Sequence, residues 1–265
     1  MSLSINIITA IAYLALMGFF ALRLKHPKQN LPSWSKFLPF APMAWHLYAL
    51  YLSIETGAGQ NLSLFNLLSL VAFILVLIIA IYRFRHQTPH MMLYTALFAA
   101  LVLFASLIPH KPLVLKLTGD TVGILHIWLA IISFSLLLLA AIQSLLVLML
   151  NKKLKTQPAK IHPLMPPLLQ MERFNFDLVL IGVLCLTVAL ALGFFLPTEV
   201  IQSQAVHKII LTLLAWFSFC TFIFMYKAAK ISGIQFARYT LIAFALLAVG
   251  FVGSKLVIEL ILQRG

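Results

Sequence analysis

Apolar residues in this chain gather into eight long runs separated by short polar stretches, instead of alternating or recurring once per helical turn. Windows of about 19 residues place the runs near 4–22, 38–56, 62–82, 91–108, 123–150, 178–196, 207–226 and 239–260. Roughly 20 residues of helix cross a hydrocarbon core about 30 Å thick, so each run is the length of a membrane span. Lipid offers no partner to a backbone N–H or C=O, so each span is predicted to be a helix. The predicted fold is all-α, a polytopic membrane helix bundle with eight transmembrane helices in a single integral membrane domain covering 1–265.

Composition agrees with the pattern. Of 265 residues, 63% are hydrophobic and 9% charged, and the mean hydropathy is +1.05. A net charge of +13 suggests a polyanionic partner at first sight. The basic residues, however, sit between the spans: alternating in and out, the loops 23–37, 83–90, 151–177 and 227–238 share one side and hold 14 of the 19 lysines and arginines. Positive loops stay in the cytoplasm, which puts both termini on the outer, periplasmic side. Topology thus accounts for the charge, and no nucleic acid is called for. The first residues, Met1-Ser2-Leu3-Ser4, lack the positive region and cleavage site of a signal peptide, so the first span is expected to be retained.

The loop 151–177, with "NKKLKTQPAKIHPLMPP", is the longest piece outside the spans and reads as a basic cytoplasmic linker or headgroup contact. Cys185 and Cys220 lie in apolar runs as small hydrophobes, and no Cys-x-x-Cys-His exists to attach heme covalently. Walker, His-Glu-x-x-His and Gly-x-Ser-x-Gly motifs are absent, so no catalytic residue is assigned and the chain reads as a binding or assembly protein. A transporter is disfavoured, because no midplane carboxylate and no pair of Gly/Pro-broken spans marks a coupling-ion site.

Candidate chemistry rests on histidines. His26, His86, His90, His110 and His162 fall in loops and read as solvated interfacial residues. His126 and His207 differ. Counting ~20 helical residues back from Asn151 reaches the outer boundary near Ile131, so His126 stands about one turn beyond the hydrocarbon. The same count from Lys227 ends near His207. Two imidazoles at one depth suit a bis-histidine heme iron site, with Trp128 against the porphyrin; the alternative is two polar residues at wet helix starts. His46, about ten residues into the second span, is an ionisable group near the midplane, either bonded to a neighbouring helix or in contact with a ligand. Glu259 with Lys255 at i−4 reads as a helix-face ion pair. Small residues such as Gly182, Gly193 and Gly250 allow close helix approach.

The stretches "WHLYALYLSIETGAGQNLSLFNLLSLVAF", "GILHIWLAIISFSLLLLAAIQSLLVLML", "PPLLQMERFNFDLVLIGVLCLTVALALGFF", "HKIILTLLAWFSF" and "GSKLVIELIL" resemble, in order and spacing, the cytochrome c assembly protein family. The likeness is strongest to its compact, YpjD-type inner-membrane branch, related to CcsA and HemX, and covers nearly the whole chain. It implies an eight-span inner-membrane protein associated with a non-covalent, b-type heme. His126 and His207 match outer-face histidines that bind heme in relatives, and His46 matches a histidine within a span. One departure stands out: heme-handling members carry an outer loop rich in Trp, Gly and Asp before the seventh span, whereas here it is "PTEVIQSQAV". The resemblance therefore implies heme binding or sensing, or an accessory role beside another inner-membrane protein, in place of delivery to apocytochrome c.

Overall fold

The computed structural model describes residues 2–25, 32–57, 59–86, 88–109, 112–115, 121–158, 165–196 and 206–256. Its helices are α1 (Ser2–Lys25), α2 (Phe40–Ile54), α3 (Leu64–Tyr82), α4 (Pro89–Ala105), α5 (Thr121–Thr156), α6 (Leu168–Gly193), α7 (Val206–Lys227) and α8 (Gly233–Ala248). A 3₁₀ turn, Ser33–Lys36, precedes α2, and a π-helical turn, Val249–Gly253, extends α8 into Ser254–Leu256. Among the described residues, seven helical stretches are long and apolar enough to cross a membrane, while α4 is apolar but only 17 residues long. The chain is thus a polytopic α-helical membrane protein. Exposed side chains such as Leu184, Phe217 and Phe224 form the apolar exterior that lipid requires.

The described residues fall into two compact units, one built of α1–α4 and the other of α5–α8. In the first, α1 buries Tyr13, Leu16 and Phe20, and α4 answers with Ala96, Ala99 and Ala100, whose small side chains let the helices approach. Asn6 donates to Ser106 across 3.1 Å, which fixes α1 antiparallel to α4. Three short strands, β1 (Glu55–Thr56), β2 (Gly59–Asn61) and β3 (Val114–Leu115), were not expected. They pair antiparallel in the order β1-β2-β3, with Glu55 opposite Gln60 and Gln60 opposite Leu115. Asn66 anchors this sheet by donating to the carbonyls of Ser53 and Asn61, each at 3.0 Å. The sheet pairs backbone groups of the segments that follow α2 and α4.

The second unit is organised by a long hairpin. Helix α5 runs 36 residues, about 54 Å, well beyond a bilayer core. Helix α6 begins at Leu168 behind Pro166-Pro167, ten residues before the apolar run at 178, because Met171 and Asn175 bury against α5 although Glu172 and Arg173 interrupt the hydrophobic pattern. Helix thereby occupies 151–156 and 168–177 of the expected loop. Four polar contacts lace the hairpin: His126 to the Ala189 carbonyl, Ser133 to the Gly182 carbonyl, Gln143 to the Met171 carbonyl and Ser144 to Asn175. Gly182 makes this possible, since a Cβ there would stand 2.9 Å from Leu137. Helix α8 starts with a capping box in which the Ser232 hydroxyl accepts from Gln235 N and the Gln235 side chain accepts from Ser232 N.

Candidate functional site

His126 is held against the last turn of α6. Its Nδ1 lies 2.8 Å from the carbonyl oxygen of Ala189, and a carbonyl only accepts, so Nδ1 carries the proton. Among the described residues, the Nε2 lone pair is left without a hydrogen bond. This is the tautomer and the second-sphere hydrogen bond that metal-ligating histidines use, which fixes the ring and raises its basicity. Gly193, one turn beyond Ala189, leaves space for the ring: a Cβ at that position would lie 3.3 Å from His126 Cε1.

His207 is the second residue of α7 and is exposed. Helix α7 packs antiparallel on α6, since Trp216 Nε1 donates to Thr187 Oγ1 at 2.9 Å while Phe176 meets Tyr226 further along. Extrapolated along α6, these contacts put His207 one to two turns beyond His126. A second route, Gly250 against Leu211 and Phe134 against both Phe244 and Phe251, puts His207 between about one and a half turns short of His126 and about half a turn beyond it. Both imidazoles therefore stand toward the end of the unit where α6 finishes and α7 begins. Lys208 lies within electrostatic reach of Lys255 at this same end.

Trp128 is 49% exposed and follows His126 by two residues, about 200° around the helix. The indole and the imidazole therefore occupy nearly opposite faces of α5. Glu259, proposed partner of Lys255, lies outside the described residues, as do His26, His110, His162 and nearly all of the "PTEVIQSQAV" loop.

His46 belongs to the first unit and is fully buried. Nδ1 lies 3.0 Å from the Tyr13 hydroxyl and Nε2 2.9 Å from the Ser69 hydroxyl, so α1, α2 and α3 meet in one hydrogen-bonded chain. A neutral imidazole donates at one nitrogen and accepts at the other, and the two hydroxyls take the complementary roles. Both positions through which His46 binds a metal are already occupied. Tyr13 and Ser69 escaped the sequence reading because hydroxyls inside apolar spans are common and usually bond to their own helix.

His90 corrects an expectation. It reads as a solvated loop residue but is 5% exposed, because α4 starts at Pro89, a residue suited to the first helical position, and draws His90 into its first turn. Among the described residues, no group of three or more His, Cys, Asp or Glu side chains is placed to hold a metal ion. An axial pair of imidazoles on a porphyrin iron needs only two protein ligands, and His126 has the tautomer that such a ligand requires.

The family model described as cytochrome C assembly protein matches residues 33–262. The inner membrane protein YpjD of Escherichia coli K12 is 26% identical over 207 residues, covering 78% of this chain and 79% of its own. The YpjD proteins of Escherichia coli O6:H1 and O157:H7 match to the same extent. No solved structure matches. With the family model covering all but the first 32 residues and the last three, this polytopic membrane chain belongs to the cytochrome c assembly protein family.

Proposed function

We propose that the protein is a heme-associated inner-membrane protein that binds a non-covalent, b-type heme through His126 and His207. The observation that carries this reading is the hydrogen bond from His126 Nδ1 to the Ala189 carbonyl, which presents Nε2 as a lone pair on a fixed ring. Bound there, heme would supply an iron centre for binding, sensing or electron exchange. The chain's own part is to orient the first imidazole through α6, supply the second from the start of α7, and offer Lys208 and Lys255 to the carboxylates. Trp128 and His46 have no direct part in this reading, the first because of its face and the second because its nitrogens are occupied.

The protein sits in the bacterial inner membrane with eight spans, α4 being the fourth, and with both termini outside. The basic-residue count supports that orientation, and it puts the α6–α7 end at the outer face. The test is an absorption spectrum of the purified, heme-supplemented protein. A Soret band that falls with His126→Ala and with His207→Ala is expected; no band, or one indifferent to both substitutions, overturns the assignment.

A second reading has its own observation. The outer loop "PTEVIQSQAV" holds neither Trp nor Asp, so the surface that would present heme to an acceptor is missing. An accessory, non-enzymatic subunit that stabilises another inner-membrane protein fits that loss. It predicts co-purification with a defined partner, unchanged by the histidine substitutions.

A further inference from the structure

The turn from α3 into α4 carries polar groups that neither reading uses. Arg83, directly after α3, is 4% exposed, and Thr88 and His90 at the start of α4 are each 5% exposed. Burial pushes the Arg83 guanidinium down to about 10, so it remains charged at neutral pH. Its Cζ lies 4.3 Å from the centre of the Phe20 ring. Nη2 makes only long contacts, 3.4 Å each, to the carbonyl and hydroxyl of Ser35. Nε and Nη1 have no hydrogen-bond partner, and neither do Thr88 Oγ1 and His90 Nδ1. Buried polar groups are normally satisfied, and a buried cation lacking an anion is among the costliest exceptions.

These groups converge. The Asn6–Ser106 bond sets α1 antiparallel to α4, and equal steps from it bring Phe20 level with Met92, in the first turn of α4. The guanidinium lying on Phe20 is therefore level with Thr88 and His90, at the end where α4 packs on both α1 and α3. Thr88 makes no side-chain cap to α4, so the first N–H groups of that helix and its positive dipole end point to the same place.

We propose that Arg83, Thr88 and His90 form a buried oxyanion site that takes the phosphate of an anionic phospholipid. The Nε edge of the guanidinium, completed by the weakly held Nη2, matches two phosphate oxygens, and the threonine hydroxyl and the imidazole N–H serve their remaining lone pairs. The lipid source is favoured over free phosphate by what adjoins the site. Phe37 and Phe84, 63% and 42% exposed, meet with ring centres 5.6 Å apart beside Arg83. Such a surface suits an acyl chain and has no use for a soluble ion. The inference does not depend on heme.

The test follows thermal unfolding of the delipidated full-length protein with phosphatidylglycerol, phosphatidylcholine or sodium phosphate added, each against matched sodium chloride. Phosphatidylglycerol is expected to raise the midpoint saturably, phosphatidylcholine not to. Arg83→Gln should weaken the apparent affinity about tenfold or more, since it removes a charge-assisted contact. Thr88→Val, which removes one neutral donor, should weaken it less, and it serves if Arg83→Gln does not fold. An Arg83-dependent shift with sodium phosphate alone supports the site and assigns it a soluble anion. Equal shifts with both lipids, no shift with any anion, or a phosphatidylglycerol shift unchanged by both substitutions overturns the proposal.

Discussion

His126 shows how one hydrogen bond turns an ambiguous residue into a candidate ligand. A place near the start of a helix makes an imidazole cheap; only the Ala189 carbonyl fixes which nitrogen is protonated. Gly193 guards that geometry. Gly193→Leu should push the ring away and reduce the heme absorption band, whereas Gly18→Leu, where nothing lies within 4 Å, should leave it unchanged; titration of each variant with heme checks this. His46 illustrates the opposite outcome. Tyr13→Phe removes its partner at Nδ1 and leaves a buried nitrogen unsatisfied, at an expected cost of about 1–3 kcal/mol. Ser69→Ala should cost a similar amount, and the double variant less than the sum, because all three groups belong to one network. Unfolding in detergent measures both.

At the scale of elements, the α5–α6 hairpin is the organising piece of the second unit. Its polar contacts recur over most of its length, and each saturates a group that lipid would leave bare. Gly182→Leu forces a side chain into Leu136 and Leu137 and should destabilise the hairpin by about 1–3 kcal/mol, read as a lowered unfolding midpoint. Gly250 plays the same part where the π-helical turn meets Leu211. Helix ends were less legible than helix centres. The apolar windows centre well on α5 and α7, but they miss the first ten residues of α6, because Glu172 and Arg173 lower the average there without breaking the helix. They also miss the three strands, which are two or three residues long and exist only because distant loops meet.

At the scale of the whole molecule, the basic loops make a prediction about orientation. A cysteine at Gly57 should react with a membrane-impermeant maleimide added outside the cell, and one at His86 should react only after permeabilisation, in a background with Cys185 and Cys220 replaced. The reverse pattern would overturn the orientation drawn from the basic loops. By itself the sequence determined the solvent and the helical class, which follow from hydrophobicity summed over about 20 residues and survive local error, and the family, which follows from the order and spacing of whole stretches. Tertiary structure alone decided which polar side chains meet: that His126 bonds to α6, that His46 is spoken for by Tyr13 and Ser69, and that Arg83 and also His90, which reads as a solvated loop residue, are buried. Such pairings depend on helix rotation and register between segments far apart in the chain, and a residue's own neighbours in sequence carry almost no record of either.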